Sequence, residues 1–317
     1  MNKFVRQLLP FGTLTLLIAA LSALEPDTFL TTENFSNVFS RSSYSGIIAM
    51  GMTAVIISGG IDLSVGSMMA LCGMVGAFVM LQAGGAAPGA GAMVIGTLAG
   101  VGMGLACGLL NGGLITLLNL PPFIVTLGTM SAFRGISYVM NKGMMFDVPT
   151  YKFLGQNSLL GIPVSVLILA LIALLAFFML RYTPLGRYTY AIGSNRQAAY
   201  HAGVNVNRNL IAIYTITGLF VGIAAMIATS RTVSAQPTAG ISLELDIIAA
   251  VVIGGASLSG GRGTVIGTIV GTLLISFLRN GCTLLGISTN IQLVVIGAII
   301  IGAVALDQAA RAKAETA

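Results

Sequence analysis

Asp62 is the only charged side chain in the 35 residues from Ile47 to Leu81, and it lies within the stretch SGGIDLSVGS. A carboxylate in such apolar surroundings has two uses. It accepts hydrogen bonds from the N–H groups that begin a helix, or it lines a path or gate and accepts from the hydroxyls of a passing solute. Ser64 stands beside it for either role. Arg134, two-thirds along the run Phe123 to Met140, is the other charge inside an apolar segment, and snorkelling or a structural pair is its simplest reading. His201 is the single histidine and lies in a basic polar loop, as a solvated or docking residue. Cys72, Cys107 and Cys282 stand singly in apolar segments without CxxC spacing, which suggests neither a disulfide framework nor a metal site. There is no G-x-x-x-x-G-K-[ST], no HExxH and no G-x-S-x-G. Catalytic, cofactor-binding and metal-binding residues are therefore not expected in this chain.

The elements that must position Asp62 follow from lengths. A helix over all 35 residues would run about 50 Å, against a hydrocarbon core of about 30 Å. The run must fold as two segments, with Gly59-Gly60 ending the first and Asp62 capping the second. Insertion energetics allow the carboxylate at either depth, since about 3 kcal/mol for one charge is offset by several leucines.

Over 317 residues the chain is 56% hydrophobic and 8% charged, with a mean hydropathy of +0.96. That composition is an integral membrane protein with almost no soluble mass, read as one transmembrane domain over 1–317. The N-terminal stretch has a basic start and a short apolar core, but no A-x-A site precedes Glu25, so a retained first helix is expected. Apolar runs fall at Leu8 to Leu24, Tyr44 to Ile61, Leu63 to Leu81, Met93 to Leu118 and Phe123 to Met140. Five more fall at Val164 to Leu180, Leu210 to Thr229, Leu245 to Ser257, Val265 to Leu278 and Ile291 to Leu306. The expectation is an all-α fold of about ten transmembrane helices, some short or broken, with eight as the lower count. With both termini cytoplasmic, the inside holds nine basic residues against three acids and the outside six against six, as the positive-inside rule requires.

Two patterns suggest how the helices work together. GGIDLSVG at 59–66 and GGASLSGG at 254–261 share G-G-x-x-L-S-x-G, either by chance or as a duplicated broken hairpin of the kind transporters use. Gly96, Gly100, Gly104, Gly108 and Gly112 repeat every four residues, and Gly263, Gly267 and Gly271 repeat the device. Such stripes let helix backbones touch, within one subunit, at a subunit interface or along a sliding surface. A nearly uncharged interior also suits a neutral, hydroxyl-rich cargo.

The basic loop at about 181–209 suits a small helix presented to a partner. Within it, Gln197, Ala198, Ala199 and Gly203 resemble the E-A-A-x-x-x-G loop of the ribose-type sugar permeases of bacterial ATP-binding-cassette importers, with Gln in place of Glu. GMTAVIISGGIDLSVGS, LPPFIVTLGTMSAFRG, LGRYTYAIGSN, AGVNV, SAQPTAG and ELDIIAAVVIGGASLSGGRGTVIGT resemble that family's signatures in the family's order. The resemblance implies a type II importer-like permease subunit for a monosaccharide, most simply ribose or a related pentose or hexose. It implies a second copy of the chain, an ATPase with two nucleotide-binding cassettes that holds the ATP and Mg, and a periplasmic sugar-binding protein, in a lipid membrane and with no nucleic acid. Arg196, Gln197, Ala198, Ala199 and Gly203 would couple to the ATPase, and Gln236, Glu244 and Asp246 would lie on the binding-protein side. The rival reading is an ion-coupled secondary sugar carrier, for which only Asp62 offers an intramembrane acid.

Overall fold

The structure is a computed structural model and describes residues 3–315. Each of the ten apolar runs holds a helix. In chain order the helices are α1 (Lys3–Leu24), α2 (Pro26–Phe29), α3 (Thr32–Ile57), α4 (Val65–Gly84), α5 (Ala90–Leu117), α6 (Pro122–Met140) and α7 (Phe153–Gln156). They continue as α8 (Val164–Tyr182), α9 (Pro184–Ser194), α10 (Arg196–His201), α11 (Val206–Thr232), α12 (Leu243–Ile253), α13 (Val265–Leu284) and α14 (Thr289–Glu315). Four two-residue strands clip the loops: β1 (Phe146–Asp147) pairs antiparallel with β4 (Ser234–Ala235), and β2 (Ser158–Leu159) with β3 (Ile162–Pro163). Among the described residues, α4, α5, α6, α8, α11 and α13 are long and apolar enough to cross a membrane. The helical class is as read from the sequence, and the protein is a multi-pass membrane protein.

Burial sorts the helices. α3, α4 and α11 make the centre, with Ile47, Ile56, Met68, Cys72, Tyr214 and Val221 all within 2% of complete burial. α5, α6 and α8 leave Leu98, Leu117, Val139 and Leu171 exposed, as faces toward lipid do. α1 leans on α13, where Leu21 and Phe277 join Phe29 and Val38 in a separate cluster.

Both glycine stripes pack within this one chain. A Cβ on Gly104 would meet the carbonyl of Gly218 and come within 2.9 Å of the Gly222 backbone, and one on Gly108 would come within 3.0 Å of Gly218 Cα. The far end of the stripe meets α4, with Gly96 2.6 Å from the Gly76 carbonyl oxygen on the same test. On α13, Gly267 and Gly271 sit in the same way against Gly254 and Ala250. Backbone cannot yield as a flexible side chain does. Gly104→Val should therefore cost about 3 kcal/mol and lower the thermal midpoint of the detergent-solubilised protein by several degrees. Gly102→Val, which would meet nothing within 4 Å, should leave that midpoint unchanged.

Candidate functional site

The break after α3 is where the sequence places it. Gly59 is left-handed at φ +83°, its N–H donates to Ile56 O at 3.0 Å and that of Gly60 to Val55 O at 3.0 Å, the paired bonds that close a helix on glycine. Gly60 is needed for space, since a Cβ there would lie 2.6 Å from the Tyr214 hydroxyl.

The capping expectation for Asp62 needs one correction. Ser64 is the N-cap of α4, and its side chain makes no capping bond. Asp62, two residues earlier, folds the approach: its Oδ1 accepts from Ser64 N at 2.9 Å and from Ser64 Oγ at 2.6 Å. Asn111 of α5 donates to Ser64 Oγ at 2.8 Å and to Asp62 Oδ2 at 3.4 Å. Asp62, Ser64 and Asn111 are each completely buried, and no cation pairs with the carboxylate among the described residues. Hydrogen bonds alone compensate it. Asn111 was not singled out from the sequence, although it is the one amide inside the apolar glycine helix and so carried a signal.

The second break repeats this geometry with a one-residue offset. Gly255 is left-handed at φ +93°, its N–H reaches Val252 O at 2.9 Å, and Ala256 N reaches Val251 O at 3.1 Å. The structural equivalent of Gly59 is thus Gly255, whereas the sequence pattern aligns Gly59 with Gly254. Similar closures end α10 at Gly203 and α13 at Gly286, so the motif is general helix-ending chemistry.

The two breaks meet at the unit formed by α9 and α10. Gly261 N donates to Ile57 O at 2.8 Å, and Gly193 at the end of α9 lies against both. A Cβ on Gly193 would overlap the Ile57 carbonyl oxygen and come 2.6 Å from Gly261 N. Tyr190 Oη donates to Gly263 O at 2.8 Å, and burial pushes its phenol up. α10 is seated on this platform. Asn195 Oδ1 caps it by accepting from Ala198 N at 2.9 Å, and Ala199 is buried with Ile192, Val206 and Leu210. Of the expected coupling residues, Arg196, Gln197, Ala198 and Gly203 are exposed. The Ala-Ala pair is therefore split, Ala198 outward and Ala199 inward, and Tyr200 and His201 complete the exposed face.

The stretch 236–246 folds back between helices. Gln236 is exposed, but Arg134 Nη1 donates to Pro237 O at 2.6 Å and Ala239 O at 2.7 Å, which gives that intramembrane charge its structural partner. Gly240 packs backbone to backbone on Gly66, and a Cβ on Gly66 would come 2.6 Å from Glu244 Oε2. Asp246 accepts from Arg279 Nη2 at 2.8 Å, with its side chain 13% exposed. On the adjoining loop, burial pushes the Tyr151 phenol up to about 12, and its hydroxyl shares a 2.8 Å hydrogen bond with Thr97.

Residues 34–304 match the family described as branched-chain amino acid transport system / permease component. The chain is 43% identical over 308 residues to the ribose import permease protein RbsC of Bacillus subtilis, covering 96% of this chain and 93% of that one. It is 39% identical over 303 residues to the D-allose transport system permease protein AlsC of Escherichia coli, covering 94% and 90%. Against the fructose import permease protein FrcC of Rhizobium meliloti it is 34% identical over 310 residues, covering 94% and 84%. No solved structure matches the chain.

Proposed function

The chain belongs to the branched-chain amino acid transport system / permease component family, and from that premise we propose that it carries a monosaccharide, ribose or a related pentose or hexose, as the membrane subunit of an ATP-driven importer. Near-full-length similarity to ribose and allose permeases supports the sugar class. The energy source is a separate ATPase with two nucleotide-binding cassettes, where ATP and Mg are held, and a periplasmic sugar-binding protein delivers the cargo. Two copies form the pathway in the lipid bilayer, with about ten crossings each and both termini in the cytoplasm.

One observation carries the coupling: the exposed face of α10 sits on a platform whose other side is the backbone of both helix breaks, through Gly193, Ile57 and Gly261. A displacement of α10 by the ATPase passes directly into the segments beside Asp62 and Ser257, because packed backbones move as units. The test is uptake into proteoliposomes holding the chain, its ATPase and its binding protein. Arg196→Ala with Gln197→Ala, both on the exposed face, should lower ATP-driven uptake about tenfold and weaken retention of the ATPase on the purified chain. Unchanged uptake and assembly would remove α10 from the coupling role. Uptake by the chain alone on an ion gradient would replace the importer with a secondary carrier.

A further inference from the structure

A cavity of about 740 Å³ opens between α3, α4, α11 and α13 and the folded-back segment that leads into α12, a volume in the range of small-molecule sites. Part of its lining is small and apolar, with Ala70, Gly73 and Ala250, and Asn37 and Gln236 add amides to the wall. The wall also carries Arg41, Arg231 and Arg279 against one acid among the described residues, Asp246, which leaves an excess of two positive charges. Each arginine flanks an apolar run, before Tyr44 or after Thr229 and Leu278, and the fold turns all three on one space.

Asp246 is already committed, since Arg279 Nη2 donates to its Oδ1 at 2.8 Å. Arg41 and Arg231 have no such counter-charge, and neither makes an ion pair or a side-chain hydrogen bond among the described residues. The helices set these two at neighbouring heights. Asn34 near the start of α3 and Thr232 at the end of α11 line the same cavity, so α3 and α11 run in opposite directions. They touch where a Cβ on Gly51 would lie 2.9 Å from Thr217 Cα. Arg41 is ten residues before Gly51 and Arg231 fourteen after Thr217, about 15 and 21 Å along their helices from that contact. They stand about one turn apart, near enough for their like charges to repel. Snorkelling does not account for them. Snorkelled arginines run outward along lipid-facing surface, whereas these face a space enclosed by the central helices. Cations set on the helices of a membrane protein without a counter-charge mark the place of an anion.

We infer that this cavity selects an acidic monosaccharide, a sugar whose carboxylate or phosphate is held between Arg41 and Arg231 while its hydroxyls bond the amides of the wall. Guanidinium forks match the paired oxygens of such a group, and its negative charge offsets the excess that the wall leaves. The inference rests on the importer reading above and narrows its cargo to sugars that carry a negative charge. It replaces the neutral cargo that the sparsely charged apolar runs suggested.

The test measures binding of radiolabelled ribonate, ribose 5-phosphate and ribose by scintillation proximity. It uses the full chain with its ATPase, without the sugar-binding protein, in phosphatidylcholine nanodiscs, whose headgroups carry no net charge. Saturable binding of at least one of the two acids is expected, about tenfold or more tighter than that of ribose, and the preferred acid tells carboxylate from phosphate. Arg41→Gln and Arg231→Gln should each weaken it about tenfold, the worth of one charge-assisted hydrogen bond. The double variant should bind the acids no better than ribose. Neither guanidinium bonds within the chain, so these variants should fold, and Arg41→Lys, which keeps the charge and loses the fork, should weaken binding less than Arg41→Gln. Val139→Phe, at a position 81% exposed on α6, is the control and should bind as the unaltered chain does. Three results would overturn the inference: no saturable binding of either acid, ribose bound as tightly as both, or acid binding unchanged in the double variant. A complete importer that moves ribose and neither acid would overturn the acidic cargo alone. One that moves no sugar, neutral or acidic, would sink the importer reading instead.

Discussion

Gly193→Val will cut ATP-driven sugar uptake by the reconstituted importer at least about tenfold while the ATPase stays bound. The first methyl-bearing carbon already occupies the place of the Ile57 carbonyl oxygen and lies 2.6 Å from Gly261 N. Neither neighbour is a side chain that swings aside; both are backbone, and they are bonded to each other at 2.8 Å. α9 must therefore lift, which separates the α10 platform from both breaks at once. The folding cost is in the usual range for overpacking, about 1–3 kcal/mol, so the protein still assembles. The exposed residues Arg196, Gln197 and Ala198 are untouched, so ATPase retention is the internal control. Tyr190→Phe gives a graded comparison. It removes only the 2.8 Å bond to Gly263 O, costs about 1 kcal/mol, and should reduce uptake by a smaller factor. Uptake within twofold of normal for Gly193→Val would show that motion reaches the breaks by another route.

The contrast between Gly193 and Gly59 shows which parts of this molecule were legible in the sequence. Gly59 sits in a run too long for one crossing, so length alone demanded a break there, and the structure ends α3 within two residues of it. The glycine stripes were legible for a similar reason, since a strict repeat of four marks one helix face and close backbone contact is what such a face does. Gly193 has no local signal. Its importance comes from Ile57 and Gly261, 136 residues before it and 68 after, and no periodicity records contacts at that separation.

The packing of the segment 236–246 was hidden by the same limitation. Its turn-forming residues carry no sign of the contacts to Arg134 and Gly66 that hold it between helices. Asp62 stands between these cases. Its two uses were visible from residue type, but Asn111, which ties it to α5, lies 49 positions away and enters only through the fold.

Asp62→Ala is expected to be the most damaging single change in the molecule, and Asp62→Asn to be largely tolerated. Truncation leaves Ser64 N and Ser64 Oγ buried without their acceptor and strips one of the two bonds made by Asn111 Nδ2. At about 1–3 kcal/mol for each orphaned buried group, the loss approaches the whole stability of a marginal fold. Little folded protein should then be recovered from membranes. Asparagine keeps an oxygen for Ser64 and brings a new N–H, which has an acceptor waiting. Asn111 Oδ1 is buried without a partner, and turning its amide places that oxygen toward position 62 at the loss of the 2.8 Å bond from Asn111 Nδ2 to Ser64 Oγ. The exchange should cost about 1 kcal/mol and leave uptake within a few-fold of normal. Thermal unfolding in detergent and uptake in proteoliposomes, measured on the same preparations, separate the two roles of the carboxylate. If Asp62→Asn folds normally and yet transports nothing, the charge itself acts on the cargo and the buried hydrogen-bond knot is not its purpose. If folding and uptake both survive, Asp62 is an anchor for the start of α4, and the path for sugar runs past other side chains.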